Sequence, residues 1–449
     1  MTPGRAPHLL GRMDPSPPPA PSDATEIRPA GAHERVVFLD VLRGFALCGV
    51  FMSNVYMHFS GRYPPPKEGV APLLPSPVDP AVHALYEFML AGKAMTLFAF
   101  LFGLGFALQM GRAQARGAAV LPLYTRRLTV LLCLGLTHLF ALWYGDILSM
   151  YAVAGFLLLL FRDFSSKRLL VWSLVLILGV PLVLTMLQRF VPLLASSAET
   201  LQAVAKQERA QAEAFQKQAQ AVFDHGSYLE TLRTNAAVHM KRVLRPVYFT
   251  FLLIPLGKFL LGLLAGRHRL LQEPGPHQPL LRKLLGWGLL VGVVGNGASL
   301  AVGALTRAGH IPRGTPWLFF MPTVSELGVL GLAAFYMAGF ALLFQRASWQ
   351  KGLSVLAPAG QMALTNYLCQ TVISLLLFRG YGLGLGGKLG ALACLTLIFS
   401  LFWVQVGLSH LWLSRFRFGP AEWLWRSLTY GKAQPMRRPP DMTPADVAA

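Results

Sequence analysis

General acid–base chemistry needs an imidazole that titrates near the working pH and a carboxylate that fixes its tautomer. His138 and Asp146 offer that pair within the run THLFALWYGDILS. The Trp-Tyr-Gly turn between them reverses the chain, which brings Asp146 back toward His138. A neutral imidazole held in this way is a competent base for a hydroxyl group. Asn54, His58 and Glu326 fall at the same depth of their own apolar runs and extend the polar set. The other reading of these residues is hydrogen bonding between helices.

A second set lies toward the opposite leaflet. Asp40 and Arg43 are three positions apart, so a helix places them on one face. Either the two neutralise each other, or Arg43 offers its planar fork to a phosphate. Lys258 adds a cation that either helps to hold phosphates or snorkels to the interface. Asn366, Gln405 and His410 complete this set, and His410 reads as a packed, hydrogen-bonded residue. Ionisable groups at membrane depth are costly, so each of them is a functional candidate.

What positions these groups must be helices in lipid. The chain has 449 residues, of which 54% are hydrophobic and 13% charged, against about 25% charged in a soluble domain. Lys and Arg number 40 against 20 Asp and Glu. The basic residues stand singly or in pairs between apolar runs, which fits anionic headgroups and the positive-inside rule and excludes nucleic-acid binding. Apolar runs near the crossing length of about 20 residues predict an all-α integral membrane protein of about ten transmembrane helices. They fall near Val36–His58, Ala94–Met110, Leu128–Tyr144, Ile147–Phe161, Leu169–Phe190, Val247–Gly266, Leu284–Leu305, Leu318–Phe344, Gly360–Phe378 and Leu389–Leu413.

Arginine and lysine cluster in alternate short loops, at Arg112, Arg116, Arg126 and Arg127, at Lys167 and Arg168, at Arg267, Arg269, Arg282 and Lys283, at Arg346 and Lys351, and after the last run. The opposite loops are weaker, with Arg62 and Lys67, Gly145–Asp146, Arg307 and Arg313, then Arg379 and Lys388. The bias predicts both termini inside. Residues 36–432 form the membrane domain. Residues 191–246 form a long, partly helical outer loop, with a capping-box spacing at Ser196 and Glu199 and an apolar face of Phe215, Ala219, Val222 and Phe223. That face suits either an interfacial helix or a lid over a site between spans. The Pro- and Ala-rich leader 1–35 and the tail 433–449 are expected to be disordered, and the leader lacks the apolar core of a signal peptide. Cys48, Cys133, Cys369 and Cys394 each sit in apolar sequence without paired spacing, as buried small hydrophobes and not as a disulfide or zinc framework. Gly103 and Gly105 in FAFLFGLGFAL mark close helix packing rather than a dinucleotide fingerprint.

RVVFLDVLRGFALCGVFMSN and KAMTLFAFLFGLGFAL resemble the opening spans of the YeiB-like family of bacterial membrane proteins, grouped under a domain of unknown function. RRLTVLLCLGLTHLFALWYGDILSMYAVAGFLLL, GQMALTNYLCQTVI and SHLWLSRFRFGPAEWLWRSLTYG are similar to its later segments, so the resemblance covers residues 35 to 432. The LD-x-LRG opening also resembles that of the transmembrane acyltransferases, which move an acyl group from cytosolic acyl-CoA to an acceptor across the membrane. That resemblance implies an acyl donor near Arg43. The polysaccharide-acetylating branch has a His where this chain has Asn54, whereas the glucosaminide branch has Asn there. His58 matches neither position, and His138 becomes the replacement base on chemical grounds.

The expected function is therefore acyl transfer at a bacterial inner membrane. Asp40, Arg43 and Lys258 would hold the donor, and Asn54, His138 and Asp146 the acceptor. Acyl-CoA would be a co-substrate, and no tightly bound cofactor or metal is expected. The partners are the lipid bilayer and an envelope acceptor. The alternatives are a transporter or flippase, which would use the same polar groups without a covalent product, and a non-catalytic scaffold. The topology is testable. Thiol labelling from outside should reach a cysteine placed at Ala219 and miss one placed at Ala433; the reverse pattern would overturn the orientation.

Overall fold

The computed structural model describes residues 37–61, 74–115, 120–195, 198–245, 248–312 and 315–438. The leader 1–35, the Ser196 capping box, Arg62, Lys67, Arg116, Arg313 and residues 439–449 lie outside them. Among the described residues the architecture is all helical, with two isolated bridges and no strand.

The chain opens with α1 (Val37–Asn54), which continues through one wide π turn to Phe59. Helices α2 (Asp79–Met89) and α3 (Lys93–Ala115) follow, then the pair α4 (Val120–Ala141) and α5 (Leu148–Leu158). α6 (Ser166–Leu174) and α7 (Val180–Ala195) lead to a helical hairpin, α8 (Ala198–His225) and α9 (Tyr228–Val243). The second half comprises α10 (Tyr248–Arg267), α11 (Gln278–Arg307), α12 (Met321–Phe344) and the short α13 (Ala347–Leu353) and α14 (Ala357–Gln361). It ends with α15 (Ala363–Phe378), α16 (Ala391–Arg415) and α17 (Pro420–Tyr430).

Among the described residues seven helical stretches are long and apolar enough to cross a membrane, and the protein is a multi-pass membrane protein. An eighth crossing results if α13–α14 and α15, bent by 75° at Met362, count as one broken span. The expectation of about ten counted two further runs. Arg126 and Arg127 lie inside α4 and shorten its apolar part, and Leu148–Phe161 is a short apolar helix. α1 is the central element, with 78% of its most apolar window enclosed, whereas α11 has 22% and lies at the periphery. Leu42, Leu47, Val50 and Phe51 of α1 are buried in the two main apolar clusters.

Close approach of α3 and α10 depends on absent side chains. A Cβ on Gly103 would strike the Phe259 carbonyl, and one on Gly262 would strike the Phe100 carbonyl. In lipid no hydrophobic force drives helices together, so such backbone contact supplies the packing. The cysteine expectation needs correction, because Cys133 and Cys369 are exposed and only Cys394 is fully buried. A helix in lipid is apolar all round, so apolar neighbours in sequence do not place a residue in the interior.

The hairpin α8–α9 carries its capping box at Ser227 and Glu230. Ala219 and Phe223 are buried, and Phe215 and Val222 half-buried, against protein. Tyr228 donates to the Ala141 carbonyl at 2.6 Å and Asn235 to that of Leu142 at 3.1 Å. The hairpin thus rests on the α4–α5 turn. Ala219 is too enclosed for a labelling probe, and the exposed Ala212 takes its place. Residues 433–438, assigned to the tail from sequence, fold back on 415–417: Arg417 N donates to Met436 O, and Phe416 bridges to Arg437. A valine at Gly262 should separate α3 from α10. Overpacking of this kind costs about 1–3 kcal/mol or more, so the variant should lose its monodisperse peak in detergent chromatography, while Gly286→Val, which meets open space, should keep it.

Candidate functional site

The α4–α5 turn holds the site's chemistry. His138 lies near the end of α4 and is 2% exposed. Its Nδ1 lies 2.8 Å from Asp146 Oδ1, and its Nε2 lies 2.9 Å from the Thr371 hydroxyl on α15. With the Nδ1 proton given to the carboxylate, Nε2 is left as the acceptor of the Thr371 hydroxyl. Asp146 is itself fixed by the backbone. Its Oδ2 accepts from Ser149 N at 2.6 Å and its Oδ1 from Leu148 N at 3.1 Å. These are first-turn amides of α5, whose unsatisfied N–H groups and dipole favour an anion. The reversal of the chain expected from sequence thus brings His138 and Asp146 into contact. Thr371 escaped sequence reasoning, since a threonine in an apolar helix ordinarily bonds its own backbone, as Thr371 also does to Tyr367 O.

Close to this pair, lined by the neighbouring Ile147, Leu148 and Tyr367 but not by His138 or Asp146 themselves, is a cavity of about 340 Å³. Its deep wall is apolar and aromatic, built by Val50, Phe98, Phe102, Ile147, Leu148, Tyr151 and Tyr367. Tyr367 separates the cavity from His138: the two rings lie 5.2 Å apart, and the Tyr367 hydroxyl accepts from Ile147 N. At the other end the wall becomes charged, with Arg43, Arg112, Arg127 and Arg426 against Asp40 and Glu422. α4 alone spans the change from Arg127 to His138, a rise of about 16 Å.

Packing fixes this charged end. Arg43 Nη1 and Asp40 Oδ1 are 2.5 Å apart, with Asp40 buried and Arg43 partly exposed. α14 closes on α1 here because position 360 is glycine: a Cβ would strike the Asp40 carbonyl. The Arg127 guanidinium lies 3.8 Å over the Trp425 ring, whose Nε1 donates back to the Arg127 carbonyl. Glu422 of α17 caps α15, accepting from Leu364 N, Thr365 N and the Thr365 hydroxyl. Burial pushes its carboxyl above the usual carboxylate range, and these hydrogen bonds oppose that push. The sequence pointed to Arg112, Arg127 and Arg426 only as topology markers, and to Glu422 not at all.

The other candidates separate from this cavity. Lys258 and Glu326 were assigned to opposite leaflets, yet they form an ion pair at 3.1 Å. Lys258 therefore does not snorkel, because it lies midway along α10 and finds its counterion on α12. Asn366 joins helices, donating to Ala359 O and Ser409 Oγ. Asn54 is buried on α1 beyond Val50. His58 packs on Trp143 and Tyr144 at ring distances of 5.3 and 6.2 Å, so it is half-enclosed rather than bathed in water. None of these five lines the cavity. His410 is exposed on α16 and its Nε2 bonds the Val355 carbonyl at 2.9 Å, so it is hydrogen-bonded as expected but not packed.

Asp40 and Arg43 should be energetically coupled. Residues in one ion pair deviate from additivity by about 0.5–3 kcal/mol. In denaturation of Asp40→Ala, Arg43→Ala and the double variant, we expect the double variant to cost less than the sum of the two single losses. Additive values would mean the pair contributes nothing.

The family model described as Protein of unknown function (DUF418) matches residues 265–432. The chain is 35% identical over 430 residues to the uncharacterized protein YxaH of Bacillus subtilis (strain 168), covering 92% of this chain and 99% of that one. It is 30% identical over 418 residues to the uncharacterized protein YeiB of Escherichia coli (strain K12), covering 90% and 98%. A 39.9 kDa protein encoded in the amylase 3' region of Bacillus acidopullulyticus is 28% identical over 414 residues, covering 91% and 97%. No solved structure matches. Because these relatives align along nearly their whole length, and the fold is all helical with several crossings, the chain belongs to the YeiB-like, DUF418 family of membrane proteins.

Proposed function

We propose that the protein transfers an acyl group across the inner membrane, with both termini in the cytoplasm. The observation that carries this reading is the polarity gradient of one cavity, whose wall runs from arginines to an aromatic part at Tyr367, 5.2 Å from the ring of a histidine held by a carboxylate. An acyl-CoA is charged at one end and apolar at the other. Its phosphates would lie at Arg43, Arg112, Arg127 and Arg426, and its thioester arm would enter the aromatic channel. Arginine suits this role because its fork binds phosphate in two places. The extra crossings α4 and α5 complete a ten-helix topology in this reading.

The chemistry then needs one base. Nε2 of His138 takes the proton of an acceptor hydroxyl, whose oxygen attacks the thioester carbonyl carbon. The C–S bond breaks, and the leaving thiolate receives the proton from the imidazolium. Asp146 stabilises that imidazolium and holds the ring. The acceptor hydroxyl would take the place at Nε2 that Thr371 now fills, and Tyr367 would stand between donor and base until it shifts. Lys258, Glu326, Asn54 and Asn366 support the helices around the channel in this scheme. A transporter would use the same gradient without consuming the donor.

Loss of a general base lowers rate by about 10²–10⁴-fold. We expect His138→Ala and His138→Gln to abolish acyl-CoA consumption by purified protein supplied with acceptor, while both remain inserted and monodisperse. His58→Ala should have a milder effect. Full turnover in both His138 variants would make the residue a packing histidine, and labelled-solute counterflow without thioester loss would favour transport.

A further inference from the structure

At the end of the molecule opposite the arginine-lined part of the cavity, beneath the α8–α9 hairpin, a cation is buried with no ion pair to a carboxylate within 4 Å among the described residues. Arg379 caps α15 and is 3% exposed. Its guanidinium carbon lies 3.8 Å over the Phe223 ring of α8 and 5.1 Å over the Phe59 ring at the end of α1. Its Nε and Nη2 are buried and have no hydrogen-bond partner among the described residues. The carboxylate that acts on it, Asp224, spends Oδ1 on Gln220 at 2.8 Å. Other charges nearby are mostly positive. Arg242 of α9 lies over Tyr144 at 4.6 Å, Tyr144 stacks on Phe223, and Lys388 faces Asp224.

Two rings offset part of the cost of burying a guanidinium. They cannot satisfy its N–H donors, and buried donors left unpaired are expensive. A fork with Nε and one Nη both open is the arrangement that meets two oxygens of a phosphate or carboxylate at once.

We propose that Arg379 is the binding site for an anionic, phosphate-bearing group, covered by the α8–α9 hairpin. Phe223 belongs to the hairpin, and Gly380 N bonds the Phe223 carbonyl at 3.0 Å. The hairpin must therefore lift for the ligand to reach the guanidinium, and Arg242 and Lys388 supply the attractive field. This rests on the acyl-transfer reading in one respect only, that the acceptor approaches from this end; it then names the acceptor as anionic. The phosphate belongs either to a lipid headgroup or to a free solute.

The test uses the full chain in phosphatidylcholine nanodiscs and no acyl donor, so it fails independently of the catalytic proposal. Thermal unfolding is followed against inorganic phosphate, against chloride at equal ionic strength, and against a rising fraction of phosphatidylglycerol. We expect saturable protection by phosphate or by phosphatidylglycerol but not by chloride. Protection by phosphate alone assigns a free anion, and protection by phosphatidylglycerol alone assigns a headgroup. Arg379→Gln should remove the effect. Arg379→Lys keeps the charge without the fork and should weaken it about tenfold or more. Arg307→Gln, an exposed arginine on α11, should respond like the wild type. If Arg379→Gln does not fold, the lysine variant carries the comparison. Protection by neither probe, or equal protection in the Arg379 variants, would overturn the proposal and leave the residue as a cation–π latch.

Discussion

The Asp146 carboxylate is the constraint on which the site depends. One oxygen accepts from His138, and both accept from the first amides of α5. The same group therefore ends the α4–α5 turn, starts a helix and sets an imidazole. In a low-dielectric interior each of those donors would be costly if left open. Satisfying them together at one anion fixes the turn in a single geometry, and Thr371 extends that order to α15.

A second carboxylate repeats the device at the start of α15. Glu422 reaches from α17 to the Leu364 and Thr365 amides, where α15 begins after its 75° bend. The broken span thus has one end set by Glu422 and its middle set by His138. Its far end carries Arg379, sandwiched between Phe59 and Phe223. The first turns of α15 supply Ala363, Leu364 and Tyr367 to the cavity wall.

The remaining buried charges follow a different rule. Lys258 and Glu326 pair with each other away from the cavity, and Asn366, Gln370 and Gln405 bond across α15 and α16. Helices in lipid gain nothing from apolar contact alone, so polar links and glycine contacts such as Gly103 with Phe259 decide which helices meet. Not every polar residue at membrane depth therefore belongs to a reactive site.

How much of this was legible in the sequence depended on range. Apolar run lengths fixed the class and most helix positions, because crossing a bilayer leaves little freedom in length. Short-range contacts were legible too: Asp40 with Arg43 by helical spacing, and Asp146 with His138 by a turn of known direction. Contacts between distant helices were not. Hydropathy gives a residue's depth along its own helix only roughly, and rotation about the axis not at all, so Lys258 was separated from Glu326, Thr371 was overlooked, and Cys133 was placed inside. Arg379 looked like a loop charge, because its burial depends on Phe223, which is more than 150 residues away in sequence. The sequence by itself determined a membrane-embedded helical bundle with a local His–Asp pair. Only the tertiary structure decided that this pair stands close to a cavity with arginines in its wall and that a helical hairpin covers a buried arginine, since both follow from helix rotation and packing that no single run encodes.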